Sequence, residues 1–270
     1  MRLAFLRVLG EDCKPAWESV MEHGRKVKLS TRLNTIACYA KTGKTVVDVG
    51  TDHGYIPSYL AKNEFAHYII ATDISEKALK AAHKTAIAYG VEEKITFIKT
   101  KGLSGIFEYD PDTIILSGMG AETIAGILAD APWTKQPGVS IIVQPQTKTG
   151  YLCLWLNEHG YKIHDATLTC ERGRIYIVML VGTAREKGKE AKEQGTGYAS
   201  TNEPYASVPE TELLRILSAK KDQLYEEYVD LLISKAKRAA EGMAKSNAKG
   251  YEKMEYRVKM LTKTRGKHNQ

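Results

Sequence analysis

The sequence predicts an α/β fold: a seven-stranded, mostly parallel sheet that ends in an antiparallel hairpin, followed by a helical C-terminal region. Three observations lead there. Between Thr45 and Val143, five short apolar β-runs alternate with helix-compatible segments. Two more runs, Tyr161 to Leu168 and Arg174 to Val181, have only a short Glu171-Arg172-Gly173 connection, which suits a hairpin and leaves no room for a crossover helix. From Glu210 onward the apolar residues fall at helical spacing.

In chain order, residues 1–28 are weakly patterned and read as a leader of uncertain order. Ser30 is an N-cap candidate for a helix in which Leu33, Ile36, Ala37 and Ala40 repeat at helical spacing, with Gly43 as its stop. Thr45 to Gly50 is strand one; Ile56 to Lys62 is a short helix that tolerates Pro57 in its first turn. Tyr68 to Thr72 is strand two, ending at Asp73, and Ser75 to Tyr89 is an amphipathic helix stopped by Gly90. Ile95 to Ile98, Thr113 to Leu116 and Val139 to Val143 are strands three to five, with helices at Ala121 to Leu128 and Gly150 to Glu158. The predicted organisation is a catalytic-type α/β domain over 29–182, a polar linker over 183–208, and a helical hairpin over 209–270. In that hairpin the stripe Leu213, Leu217, Leu224, Tyr228, Leu231 and Leu232 forms one arm, and Met254, Val258 and Leu261 the other. An antiparallel coiled coil is the expected pairing, with Ala239 to Gly250 as the weak point between the arms.

Composition narrows the class. No apolar run reaches the roughly 18 residues a membrane span needs, and the first ten residues lack a signal-peptide pattern. Cys13, Cys38, Cys153 and Cys170 are scattered without metal-ligand or redox spacing. The expectation is therefore a reduced, cytoplasmic protein with no metal and no membrane partner; no oligomeric state is assigned. The net charge is +7, and residues 209–270 carry 14 Lys+Arg against 9 Asp+Glu, compared with 25 against 23 in the rest. Most of the positive excess thus sits in the tail, which favours a polyanionic partner.

In open parallel sheets, ligands sit at the carboxyl ends of the strands. Here that edge presents Asp48 to His53, Asp73, Lys101-Gly102, Ser117 to Gly120 and Gln144-Pro145. Gly50 lets the backbone approach a ligand closely, and Asp73 can accept both hydroxyls of a ribose. A Gly-x-Gly-x-x-Gly fingerprint is absent, which weakens NAD, and no full Gly-x-x-x-x-Gly-Lys-Ser/Thr loop is present (Gly43-Lys44-Thr45 lacks the upstream glycine), which argues against a nucleoside triphosphatase. An adenosyl ligand without a pyrophosphate fits better. Together with the antiparallel ending, this is the topology of Rossmann-like class I S-adenosyl-L-methionine-dependent methyltransferases. Arg32 faces either solvent or a ligand on this evidence.

The stretches Leu29-Ser-Thr-Arg-Leu33, Asp48-Val-Gly-Thr-Asp-His-Gly54, Ala71-Thr-Asp-Ile74, Ser117-Gly-Met-Gly120 and Gln144-Pro145 resemble the TrmK family, the bacterial tRNA (adenine(22)-N1)-methyltransferases. The resemblance covers residues 29–181, and the helical tail matches the family's second domain in kind. It implies that Gly50, His53, Asp73, Ile74, Gly102, Leu103 and Ser117, Gly118 and Met119 line the S-adenosyl-L-methionine pocket, beside Asp48 and Lys101 at the same edge. Asp52 is implied as the catalytic carboxylate, and Arg32, Gln144 and Pro145 as contacts to a tRNA substrate. The chemistry is coherent. Adenine N1 is a neutral nucleophile, its methylated ring is cationic, and a nearby carboxylate stabilises that charge. The Asn/Asp-Pro-Pro-Tyr motif of amine-methylating enzymes is missing, as suits a ring-nitrogen target. The base must leave its stack to react, and the basic tail would hold the tRNA backbone. Lys101 stands where the family usually has an aspartate facing the cofactor's adenine, and Gln146 and Ile177 also depart from the family pattern. Those departures keep a second reading open, a non-catalytic or weakly active RNA-binding protein with the same fold. A small-molecule methyltransferase is disfavoured by the basic tail.

Overall fold

A computed structural model of the chain describes residues 26–41, 43–183, 208–246 and 250–266. Most of the leader read over 1–28 and of the linker read over 183–208 lies outside the described residues, as does Cys13.

Helix α1 (Thr31–Ala40) begins where Ser30 accepts a hydrogen bond from Leu33 N, so the expected N-cap forms. Strand β1 (Thr45–Val49) is buried along its whole length. Helix α2 (Tyr55–Lys62) follows with Gly54 at its N-cap, and Pro57 occupies the first turn, where a missing N–H costs no helical bond. Then come β2 (Tyr68–Asp73), α3 (Glu76–Tyr89), β3 (Ile95–Lys99), β4 (Thr113–Gly120), α4 (Ala121–Ala129), β5 (Ser140–Thr147), α5 (Thr149–Glu158), β6 (Lys162–Glu171) and β7 (Arg174–Gly182). Helix α3 is stopped by Gly90 in the left-handed region, as its sequence predicts, and Ser75 serves as its N-cap instead of its first helical residue.

The seven strands form one sheet in the order β3-β2-β1-β4-β5-β7-β6. All pairs up to β4–β5 are parallel; β5–β7 and β6–β7 are antiparallel. The β6–β7 turn is short because Arg172 and Gly173 both have positive φ, 51° and 71°, the twist that a two-residue hairpin requires. Side chains alternate across the sheet. Val47, Val49, Ile114, Leu116, Ile141 and Val143 pack on the face covered by α4 and α5. Val46, Ile69, Ala71, Ile115 and Ile142 pack on the face covered by α1, α2 and α3.

Two element boundaries differ from the sequence reading. Strands β4 and β5 continue past Leu116 and Val143, so Ser117 to Gly120 and Gln144-Pro145 are strand rather than loop. Register shifts flank Met119, and Gly118 adopts φ 74°, a β-bulge that bends the strand end. The tail forms three helices where the pattern reads as two: α6 (Thr211–Lys220), α7 (Tyr225–Lys245) and α8 (Tyr251–Gly266). The break falls at Lys221, in the left-handed region with φ 52°. Asp222 stabilises it by accepting from Leu168 N on β6 and from Leu224 N. Helix α7 instead runs straight through Ala239 to Lys245.

Helices α7 and α8 are antiparallel: Arg265 near the end of α8 donates to Asp230 near the start of α7, at 2.8 Å from Nη2 to Oδ2. The tail shares the core of the sheet. Leu213, Leu217, Tyr225, Val229 and Leu232 belong to the same buried cluster as Leu156, Leu168 and Met179. Lys220 of α6 is bonded to Asp165, Ala166 O and Thr167 on β6, and Tyr39 of α1 reaches the same Asp165 and Thr167 side chains. Among the described residues, no helix is long and apolar enough to cross a membrane, and no group of three His, Cys, Asp or Glu side chains is placed to hold a metal ion.

Candidate active site

The strand order reverses between β1 and β4, and a ligand crevice forms outside the carboxyl ends of strands at such a point. Gly50 ends β1 with φ 69°, and a Cβ there would collide with Met119 Cε from the end of β4. The bare backbone at the end of β1 therefore leaves room for the Met119 side chain from the end of β4. Gly50 N and Thr51 N both donate to Thr72 O, at 2.8 and 2.9 Å, which turns the chain sharply away from the sheet. Gly54 is equally constrained: its φ is 66°, and a Cβ would lie 2.9 Å from the Ala82 backbone.

Within this turn the acidic residues differ sharply in environment. Asp48 is buried, and Thr51 Oγ1 donates to its Oδ2 at 2.8 Å. Burial pushes the Asp48 carboxyl up to about 7; the Thr51 bond opposes the rise, and the nearby Asp73 adds to it. Asp52 takes positive φ, 51°, and its side chain is 75% exposed, with His53 Nε2 3.7 Å from its Oδ2. Asp73, at the end of β2, accepts from Ser75 N at 2.8 Å and from Asp52 N at 3.3 Å, one bond on each oxygen. Each carboxylate oxygen keeps a second lone pair for a ligand hydroxyl. Ile74 beside it is 69% exposed, an apolar surface available to a ligand ring. At the end of β3, Lys101 is exposed and Gly102 has φ 58°, with Ile127 3.2 Å from where a Cβ would stand. Leu103 is buried in the core, so its side chain supports this loop from below.

The β4–β5 side of the edge forms a second constellation. Gln144 is 0% exposed. Its Oε1 accepts from Arg32 Nη1 at 2.8 Å and from Gly118 N at 3.2 Å, while its Nε2 donates to Pro145 O at 2.9 Å. The sequence reading places Gln144 against substrate; here its amide oxygen and one N–H are engaged inside the protein, and it holds Arg32 and the Gly118 bulge in place. Pro145 is buried beside it and forms part of a cleft wall. Arg32 points along this edge. Its N–H donates to Glu171 Oε2 at 3.2 Å, and its guanidinium lies 5.5 Å from the centre of the Tyr176 ring. Arg174 approaches the same ring at 5.6 Å. The Ser30 hydroxyl, followed by the Arg32 N–H and charge, holds the Glu171 carboxyl below the usual range.

A cleft of about 820 Å³ opens next to this constellation, between the ends of β5 and β7 and helix α7. Gln146, Arg174 and Tyr176 line it from the sheet; Tyr228 and Lys235 line it from the tail. The structure thus brings Asp48, Gly50, Asp52, His53, Asp73, Ser117, Gly118 and Met119 to one edge, with Arg32 and Pro145 alongside. In the sequence Gln146 stands out only as a departure from the family pattern, and Tyr176 carries no signal of its own. Their place on the cleft depends on the β5–β7 pairing, which brings together positions about 30 residues apart in sequence.

Three comparisons with known proteins bear on this geometry. A tRNA (adenine(22)-N(1))-methyltransferase of Bacillus subtilis is 32% identical over 156 residues, covering 57% of this chain and 65% of its own length. The match thus spans just under two thirds of that relative. The crystal structure of the B. subtilis m1A22 tRNA methyltransferase TrmK superposes with a TM-score of 0.73 at 23% identity, over 89% of this chain and 100% of that one. The M. capricolum TrmK solved with S-adenosyl-homocysteine gives a TM-score of 0.67 at 24% identity, over 87% and 96%. These two structures share the fold. Residues 29–179 match the family described as the methyltransferase domain, and the chain accordingly belongs to the methyltransferase-domain family.

Proposed function

We propose that the chain is an S-adenosyl-L-methionine-dependent methyltransferase of the TrmK type, acting on N1 of an adenine in tRNA, at position 22 as in the name of its Bacillus relative. The observation that carries this reading is the glycine turn at the end of β1, where Gly50 takes φ 69° beside the Met119 side chain from β4 and Asp52 N donates to the Asp73 carboxylate at the end of β2. The residues fit the cofactor. Side chains at Gly50 and Gly54 would fill or strain the turn, Asp73 retains acceptor capacity for two ribose hydroxyls, and Ile74 offers an apolar face to the adenine. Asp48, with His53, Gly102 and Ser117 to Met119, completes the proposed cradle. Lys101 supplies a cation where a carboxylate would otherwise meet the adenine.

When bound, S-adenosyl-L-methionine supplies an electrophilic methyl group on a sulfonium centre. Asp52 is held on the open side of the turn by its left-handed backbone, and its carboxylate is directed to the exocyclic amine of the target base. There it stabilises the positive charge that the ring gains when N1 is methylated, and it takes up a proton from the amine. Arg32 and Pro145 line the approach of the base, which must be extruded from its stack. Lys235 and Arg174, which both line the cleft, contact backbone phosphates. The α7–α8 pair serves as a short antiparallel coiled coil. The scattered free thiols of Cys38, Cys153 and Cys170 support a cytoplasmic protein.

Lys101 is the one observation favouring a weakly active or non-catalytic RNA-binding protein. Incubating the chain with bulk tRNA and S-adenosyl-L-methionine, followed by nucleoside analysis, tests the assignment. The expected product is 1-methyladenosine. Tight tRNA binding with no cofactor binding at millimolar concentration would instead support the RNA-binding reading.

A further inference from the structure

Pro145 pairs with Met119 and Thr147 with Gly120, so Gln146 is the extra residue of an irregularity in β5, and Gln144 and Gln146 both come close to Gly118. Their fates differ. The Gln144 amide is buried and engaged, whereas Gln146 is half-buried and its amide makes no hydrogen bond to a described residue. Gly118 lies between Gln146 and Arg32. A Cβ at Gly118 would stand 4.0 Å from Arg32 Nη1 and 4.0 Å from Gln146 Nε2, and nothing else comes as near. The bulge at Gly118 thus leaves a recess with a guanidinium on one side and an unengaged amide on the other. This recess opens on the 820 Å³ cleft through Gln146, and it lies one residue from Met119, which touches the Gly50 turn.

We propose that Gln146 is the residue that selects adenine, pairing through its side-chain amide with the N6–H and N7 edge of the extruded base. This rests on the adenine reading above. A glutamine amide is the natural complement of that edge: Oε1 accepts from N6, and Nε2 donates to N7. The pairing leaves N1 open. The exocyclic amine has two hydrogens, and the one on the N7 side goes to Gln146 while the one on the N1 side remains for Asp52. Guanine presents O6 in place of the amine, so Gln146 Oε1 would face another acceptor.

The test uses the full chain and two forms of one tRNA transcript, with adenine or 7-deazaadenine at the methylated position. Wild type should methylate the 7-deaza form several-fold less efficiently, since N7 is gone. Gln146→Ala should lower kcat/KM on the normal transcript by roughly 10- to 100-fold, keep the wild-type affinity for S-adenosyl-L-methionine, and show no further loss on 7-deazaadenine. Gln146→Glu keeps the size, places an acceptor against N7, and should be equally impaired. A Gln146→Ala enzyme with near wild-type kcat/KM, or one that still discriminates against 7-deazaadenine, overturns the assignment while leaving the adenine reading intact. If the wild type transfers no methyl to adenine, the function and this role fall together.

Discussion

Arg257 in the last helix donates to Glu210, which is only 1% exposed, with 2.5 Å between Nη2 and Oε1. Glu210 lies so close to Gly150 at the start of α5 that any Cβ there would collide with its carboxylate. The last helix is thus tied to the α/β domain by a charge pair in a tightly packed corner.

Removing one member of such a pair leaves the other charge buried and uncompensated. Arg257→Met is expected to destabilise the chain by about 3 kcal/mol, and Glu210→Gln added to it should recover much of the loss. Urea unfolding of both variants checks this. Equal stability of Arg257→Met and wild type would mean the pair contributes nothing.

Asp48 gives a pH signature. Burial raises its folded pKa from 3.8 to about 7, so the folded state retains a proton that the unfolded chain releases. The contribution to stability is full below the unfolded value and is lost as pH rises through about 7. Unfolding free energy should therefore decline across that interval by a few kcal/mol, to order of magnitude. Asp48→Asn, which can still accept from Thr51, should flatten the decline. A slope unchanged in the variant assigns it to another group.

Gly50→Ala places a side chain at positive φ and against Met119. Cofactor affinity measured by calorimetry should fall at least roughly tenfold, with about 1 to 3 kcal/mol of stability lost to backbone strain. Shortening Met119 in the same chain relieves the collision only, so the φ penalty should persist.

Asp52→Ala should lower kcat for methyl transfer by roughly 10²- to 10⁴-fold while leaving cofactor binding unchanged. The side chain is exposed and makes no buried contact, so the variant should fold normally. Undiminished 1-methyladenosine formation would remove Asp52 from the mechanism.

Arg174→Glu and Lys235→Glu address the RNA-binding role of the cleft. Each should weaken tRNA binding by roughly tenfold at low salt, with a log–log salt slope shallower by about one. Filter binding at several salt concentrations measures both. Deleting residues 209–270 is a poorer test, because it strips Leu213, Leu217 and Tyr225 from the common core.

Much of this protein follows from local pattern. The seven strands, the Ser30 cap, the Gly90 stop and the closing hairpin are local properties of the chain and read from β-branched runs, a capping residue and turn glycines, although β4 and β5 run further than that pattern predicts. The Asp48–Gly54 turn is legible for the same reason, since its glycines must accommodate positive φ. The tail break at Lys221 is not legible, because it depends on Asp222 bonding to β6, 54 residues away in sequence. The opposite roles of Gln144 and Gln146 are hidden too. They are two residues apart and chemically identical. Burial, the Gly118 bulge and the reach of Arg32 from another element leave one amide bonded inside the protein and the other open to the cleft. Periodicity determines which residues form strands and turns; long-range packing determines which side chains remain available to a ligand.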